Sequence, residues 1–360
     1  MNAATMIRTE KEVVAWLLDE QCPPARYLTL VHLLDQPENH PDVIAARAAI
    51  PLWPPVAGLL VAQNPDGYWR HAEDCYWPKW TATTWALIVL AELGMPGDDA
   101  RIIKGCEHFL LTQQAQDRSF PPKEYPADPM AGYRLLWEPC VTGNMIRALS
   151  AFGYGGDPRV LDAAQWLTIH QLPDGGWNCE TGEWGKDVHH SSFMSTIEPL
   201  WGFASIDKAL WSPAVWHSVG GAAEFLLEHF LYRSHNTGRI IDEEWTRLHF
   251  PLFYFYDILH GLRVLAELGL TSDGRDLDAL DLLISKRWDN GAWALEGDIS
   301  SLEKRRLVKD EAAEQWRMQD GVEPLPILES LGRVGEPNKF VTIHALRVLK
   351  AYGRWTPVKP

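Results

Sequence analysis

The chain has no run of about 18 or more apolar residues, which argues against a membrane-spanning helix. Its opening residues, MNAATMIRTEKEVV, lack the apolar centre of a secretory signal, so a cytoplasmic location is expected. No Ser- or Gly-rich linker interrupts the sequence, and residues 1–360 are read as one domain. Cysteine is scarce: Cys22, Cys75, Cys106, Cys140 and Cys179 are the five present. In a reducing compartment such thiols do not form a disulfide framework by default. Positive charge is in deficit, with 33 Lys and Arg against 48 Asp and Glu and a formal net charge of -15. That balance argues against a nucleic-acid partner.

Tryptophan is plentiful, at 18 residues, and three of these residues close a recurring turn. QNPDGYW (63–69), QLPDGGW (171–177) and RWDNGAW (287–293) share a polar opening, an Asp or Asn followed by Gly, and a final Trp. Glycine stops a helix at low steric cost, so each is read as a turn, and the bulky Trp after it needs a defined place to pack. QAQDRSF (114–120) and RSHNTGRI (233–240) are weaker echoes. The starts fall roughly 50 to 60 residues apart, a step that suits one helical hairpin.

Apolar helices are expected after the turns at 80–94, 138–153, 189–203, 253–269 and 338–353, and more amphipathic ones lead to the next turn. Two further segments, 24–36 and 41–63, complete an early hairpin, and the N-terminal stretch 11–21 offers the missing mate for 338–353. Each terminus thus supplies half a hairpin, which favours a closed ring over an open solenoid with capped ends. The expected fold is all-α, an (α/α)6 toroid of six hairpins with the N-terminal helix closing the ring against the C-terminal one. Trp80, Trp85, Trp137 and Trp201 fall on or beside the inner helices, as core or as the wall of a pocket.

QNPDGYW and QLPDGGW resemble the Gln-x-x-Asp-Gly-x-Trp repeats of the terpenoid cyclase and protein prenyltransferase superfamily. The resemblance implies an α/α toroid with a central aromatic cavity for an apolar, isoprenoid-like substrate. It also gives the glutamine and aspartate of each turn (Gln63, Asp66; Gln171, Asp174) a helix-capping role and makes Trp69 and Trp177 staples between hairpins. The Asp-x-Asp-Asp acid of the squalene cyclases and an Asp-Asp-x-x-Asp magnesium motif are both missing. The prenyltransferases need a partner subunit, which this chain does not contain. Their zinc-binding pattern is matched in part. Cys140 in Glu138-Pro139-Cys140 takes the cysteine position and His190 in DVHHSS the histidine position. Cys179 and Asp187 would complete a Zn2+ site, with Glu138 as the alternative carboxylate. Ordinary packing is the competing reading for the two cysteines.

Other polar residues cluster at the inner-helix starts. Lys79, Arg134, Arg247 and Lys339 are candidates to hold a diphosphate, and Asp257, His249 and Tyr256 are candidates for acid–base work. The structural alternative pairs Asp257 with Arg263 and leaves the tyrosines to pack. Three functions follow: a transferase or cyclase acting on isoprenoids; a zinc-dependent enzyme that activates a thiol, by analogy with lanthionine-forming cyclases; or a non-catalytic toroid that binds a lipid or a partner.

Overall fold

The structure is a computed structural model describing residues 9–114, 118–120, 138–180, 188–299, 305–310, 315–320 and 325–357. Helix starts follow local chemistry. Thr9, His40, Asp99, Asp157, Ser212, Asp257 and Asn338 each cap a helix by accepting a first-turn N–H. Pro41, Pro158 and Pro213 take the first helical position, where a missing N–H costs nothing.

The resulting helices are of two kinds. Five are buried almost all round: α5 (Thr83–Glu92), α7 (Pro139–Leu149), α9 (Phe193–Ala204), α11 (Ile258–Leu268) and α13 (Lys339–Ala351). Helices α6 (Ala100–Gln113), α8 (Pro158–Ile169), α10 (Pro213–Glu228) and α12 (Leu277–Ser285) bury one stripe only, as a layer facing solvent does. At the N-terminus, α1 (Glu10–Leu17) precedes α2 (Pro23–Leu28), which runs on into a π-helical turn, Thr29–Leu33. The single helix expected over 41–63 is instead α3 (Pro41–Ala49) and α4 (Pro54–Val61), because Pro51, Pro54 and Pro55 break its hydrogen-bond ladder.

Packing runs α5 on α7, α7 on α9, α9 on α11, α11 on α13, and α13 on α2 with its π-turn. The sequence of contacts then returns to α5, since a methyl group on Gly94 would lie 2.5 Å from the Tyr27 ring. α1 joins the far end of the chain: Glu10 accepts from Trp355 Nε1 at 2.7 Å, and Lys339 reaches Asp19 at 3.0 Å.

The Trp turns join these layers in the same way three times. Trp69, Trp177 and Trp293 are buried, and each indole N–H donates to a carbonyl ten residues back: Leu59, Leu167 and Leu283, at 2.8, 2.9 and 2.7 Å. Each backbone N–H donates to a threonine of the following inner helix, Thr83, Thr196 and Thr342. The polar opener bridges outward. Gln63 Nε2 holds Gly67 O and Arg101 O of α6, and Gln171 Nε2 holds Gly175 O and Ser218 O of α10. Arg287 holds Gly291 O and pairs with Glu10 of α1 at 2.7 Å. The weak echo at 114–120 behaves alike, with Gln114 on Arg159 O and the Phe120 N–H on Thr142 Oγ1.

The chain is helical, as expected of an all-α fold, with one element that was not expected: β1 (Arg305–Asp310) and β2 (Gln315–Asp320) form an antiparallel hairpin between α12 and α13, Arg305 opposite Asp320. In QWRMQD the apolar residues recur every second position, which is the period of a strand. Among the described residues no single helix is long and apolar enough to cross a membrane.

Candidate functional site

Two glycines decide where the site forms. A Cβ on Gly143 of α7 would lie 2.3 Å from the Pro199 nitrogen of α9, and one on Gly202 would lie 2.7 Å from Gly143 O, so the two backbones touch. One turn beyond this contact, Arg147 of α7 lies over Trp201 of α9, its guanidinium carbon 4.2 Å from the ring centre. Arg263 of α11 lies over the same indole at 4.5 Å, and Trp201 Nε1 donates to Glu267 at 2.9 Å.

These residues face a chamber of about 280 Å³ to which α2 with its π-turn, α5, α7, α9, α11 and α13 all contribute. Its lining is charged. Glu92 pairs with Arg147 at 3.3 Å and Arg263 at 3.2 Å, and Glu267 pairs with Arg263 at 3.2 Å and Arg347 at 3.0 Å. Burial works against the charge of Glu267, but Arg347, Arg263 and Arg147 outweigh it and draw its pKa down to about 2. Burial, helped by Arg263, holds His260 neutral with a pKa of about 3, and likewise moves His344 well below its usual value. Burial also raises the Glu198 carboxyl well above its usual range. It sits 3.6 Å from His260 Nε2, and neither of its oxygens has a hydrogen-bond partner.

The chamber continues in two directions. A notch of about 20 Å³ shares Glu92, Trp201, Arg263 and His344 with it and adds Ile88, Leu252, Phe253, Leu259 and His249. On the other side, a groove of about 620 Å³ shares Glu38, Arg47, Ser150 and Ala151 and opens between α3 and a second π-helical turn, Ser150–Tyr154. Both π-turns touch the chamber, through His32 and through Ser150, and such turns are frequent at functional sites.

The aromatic residues expected to wall a cavity mostly pack on one another. Phe253 lies 5.0 Å from Trp80 and 5.6 Å from Trp85, and its carbonyl accepts from Asn144 Nδ2 at 2.6 Å. The stretch FPLFYFY thereby fills space beside the inner-helix starts, and the open volume is displaced to the charged ends.

The sequence-derived candidates separate. Cys140 and Cys179 do come together, Sγ to Sγ 3.1 Å, with Glu138 Oε2 3.3 Å from Cys140 Sγ and Ser195 Oγ donating to Cys179 Sγ at 3.2 Å. The hydrogen bond with Cys179, and then burial, push the Cys140 thiol well up; burial pushes up Cys179. Among the described residues the donor group is Glu138, Cys140 and Cys179, all within 4.8 Å of one another. His190 is exposed, only its carbonyl being held, by Asn178, and it does not join the group. Asp187 and Arg134 lie outside the described residues.

The expected diphosphate cations are not gathered. Lys79 Nζ donates to Tyr254 at 2.7 Å, Arg247 pairs with Glu244, and Lys339 serves the α1 seam. Asp257 does not pair with Arg263. It caps α11, accepting from His260 N at 2.8 Å and His249 N at 2.9 Å. His249 is buried between Asp257, at 3.5 Å, and Glu244, at 3.1 Å; burial opposes its protonation, and the two carboxylates more than offset that and raise its pKa. The Tyr256 hydroxyl is committed to Leu231 O at 2.7 Å.

The residues that sequence reasoning missed are Glu92, Arg147, Glu198, Glu267 and Arg347. Of these, Glu198 carried a local signal, as the single ionisable side chain in FMSTIEPLWGFA.

No protein-family model and no curated protein matches the chain. Among solved structures it is similar to a type II terpene cyclase from Scytonema, at 15% identity over 99% of this chain and 92% of that one, TM-score 0.44. It is also similar to a protein from Actinoplanes (16%, 96% and 100%, TM-score 0.47) and to an unsaturated glucuronyl hydrolase from Bacillus sp. GL1 (11%, 95% and 88%, TM-score 0.42).

Proposed function

We propose that the chain is an α/α toroid of six hairpins, α1 pairing with α13, and an isoprenoid-handling enzyme whose substrate enters the inner-helix chamber. The observation that carries the site is the buried charge around open volume. Ionisable groups away from water are costly unless paired, yet here Arg147 Nη1 and His344 Nδ1 are buried without a partner beside the chamber. Strained electrostatics around a concave space marks a binding site. The isoprenoid class is supported by the Gln-Trp turns and by the apolar notch next to the charged chamber.

In this reading Arg147 and Arg263 hold the oxygen-bearing end of the substrate, the notch at Ile88, Leu252 and Leu259 takes about one methyl-sized group, and the apolar chain runs out through the groove between α3 and the Ser150–Tyr154 turn. His249, which borders the notch and is held by Asp257 and Glu244, acts as general acid. Tyr256 positions the segment. The test is native mass spectrometry and product analysis with farnesyl and geranylgeranyl diphosphates, the corresponding alcohols and acids, and a geranylgeranyl dihydroxybenzoate. Retention and conversion of one member, with conversion lost in His249→Gln, support the proposal; no retention of any member contradicts it.

A second proposal concerns zinc. Two thiols and a carboxylate within one coordination radius fit its soft and borderline donor preferences, with Glu138 in the carboxylate place and His190 outside the set. When bound, zinc would supply Lewis acidity to a thiol or water. The protein's part is to hold the donors, Cys140 from α7 and Cys179 from the loop fixed by Trp177. Elemental analysis tests this: about one zinc per chain, lost in Cys140→Ser, supports it, and metal-free protein that takes up none contradicts it.

A further inference from the structure

We propose that the chamber recognises a single carboxylate-type negative charge, taken in through the groove between α3 and the Ser150–Tyr154 turn, with Arg147 as the primary donor. The proposal rests on the reading of the chamber as the substrate site and names the chemistry of what it takes.

The charge balance points this way. Three guanidinium groups, Arg147, Arg263 and Arg347, meet two carboxylates, Glu92 and Glu267, so one positive charge is left over. The neighbouring histidines do not add to it, since burial lowers the pKa of His32 and His260 to about 3 and moves His344 well below its usual value, and Glu198 is not among the residues that line the chamber. Across the mouth, Glu38 and Arg47 pair at 3.4 Å and cancel. A diphosphate, with about three charges at neutral pH, would find two of them unmatched in a buried space, where uncompensated charge is most costly. A monoanion is matched.

The donor geometry agrees. Arg147 uses Nη2 on Glu92, while Nη1 has no partner although the residue is nine-tenths buried. Its guanidinium carbon is held 4.2 Å from the Trp201 ring centre. A guanidinium with one committed and one free nitrogen, held against an indole, offers a planar oxyanion a donor at low ordering cost. A second residue lining the chamber, His344, also has a buried nitrogen, Nδ1, with no partner among the described residues; its Nε2 lies 3.4 Å from Arg263. At the mouth, Tyr27 donates to Glu38 at 3.1 Å and Arg47 lies over the Tyr27 ring at 5.3 Å, so the Glu38–Arg47 pair stands where an entering anion first meets a cation.

The experiment is isothermal titration of the full chain with benzoate, hexanoate, inorganic phosphate and pyrophosphate at fixed ionic strength, repeated on Arg147→Gln, on Arg147→Lys and on a surface control, Arg159→Gln. The expected result is carboxylate binding that outcompetes phosphate and pyrophosphate, falls about tenfold or more in both Arg147 variants, and is unchanged in Arg159→Gln. Arg147→Lys keeps the charge but not the fork, so it reports on geometry if the glutamine variant does not fold. No carboxylate binding to the parent, tighter binding of pyrophosphate, or equal binding by folded Arg147→Lys would overturn the proposal. Carboxylate binding without retention of any prenyl compound would uphold it and sink the isoprenoid reading instead; prenyl retention without carboxylate binding would do the reverse.

Discussion

The guanidinium of Arg147 lies 4.2 Å from the ring centre of Trp201, and this stack exists because Gly143 and Gly202 let α7 and α9 meet backbone to backbone. Gly143→Ala puts a methyl group 2.3 Å from Pro199 N, where backbone and not a flexible side chain must move. The expected outcome is a loss of about 1–3 kcal/mol in denaturant unfolding, as for overpacked cores, together with a changed Trp fluorescence as Trp201 shifts. An unchanged midpoint and spectrum would show that the helices separate freely.

Trp177 is expected to be structural. It is fully buried and bonded through both its indole and its backbone N–H, so Trp177→Ala should cost about 3–5 kcal/mol. Urea unfolding with the same slope and the same midpoint as the parent would remove the staple role.

Much of this layer was legible in the sequence. The Gly-containing turns ending in Trp announce themselves locally, and counting half-hairpins sets the N-terminal segment beside the last helix, where Lys339 reaches Asp19 and Trp355 reaches Glu10. Cys140 and Cys179 were also rightly brought together, because the turn at 171–177 fixes the loop that carries Cys179. The chamber was not legible. Arg263 and Glu92 are 171 residues apart, and an arginine in GLRVLAELG looks locally like one on any helix surface. At the helix starts Asp257 caps and the lysines are paired, while the charges converge on the later turns. The strand hairpin was missed because it lies in the long connection after Trp293, outside the hairpin repeat.

Acid stability should report the buried histidine. His260 has a folded pKa of about 3 against the usual 6.5, so below 6.5 the unfolded chain binds a proton that the folded one does not. Stability is therefore lost as pH falls from 6.5 toward 3, by about 1.4 kcal/mol per unit from this residue. Glu267, depressed from 4.5 to about 2, adds loss below 4.5 with the same sign. Unfolding free energies measured at pH 7, 6 and 5 should fall in that order, and His260→Gln should flatten the slope. His249 and Glu198, whose pKa values are raised, act with the opposite sign, so the decisive comparison is between parent and variant: a slope that His260→Gln leaves unchanged would contradict the buried neutral state.

The notch assignment predicts a split in kinetics. His249→Gln should lower kcat with little change in KM, because the residue borders the notch and not the charged end, whereas Arg347→Gln should raise KM. Steady-state measurements on the converted prenyl compound decide this, and a pure KM effect in His249→Gln would remove its acid role.

The account stands most directly on what occupies the chamber. A crystal structure of the protein grown with a prenylated acid should show the carboxylate within hydrogen-bond distance of Arg147 Nη1, with Trp201 and Arg263 undisturbed and the chain directed into the groove between α3 and the Ser150–Tyr154 turn. A structure with the ligand bound elsewhere, or with the chamber closed by its own side chains, would contradict it.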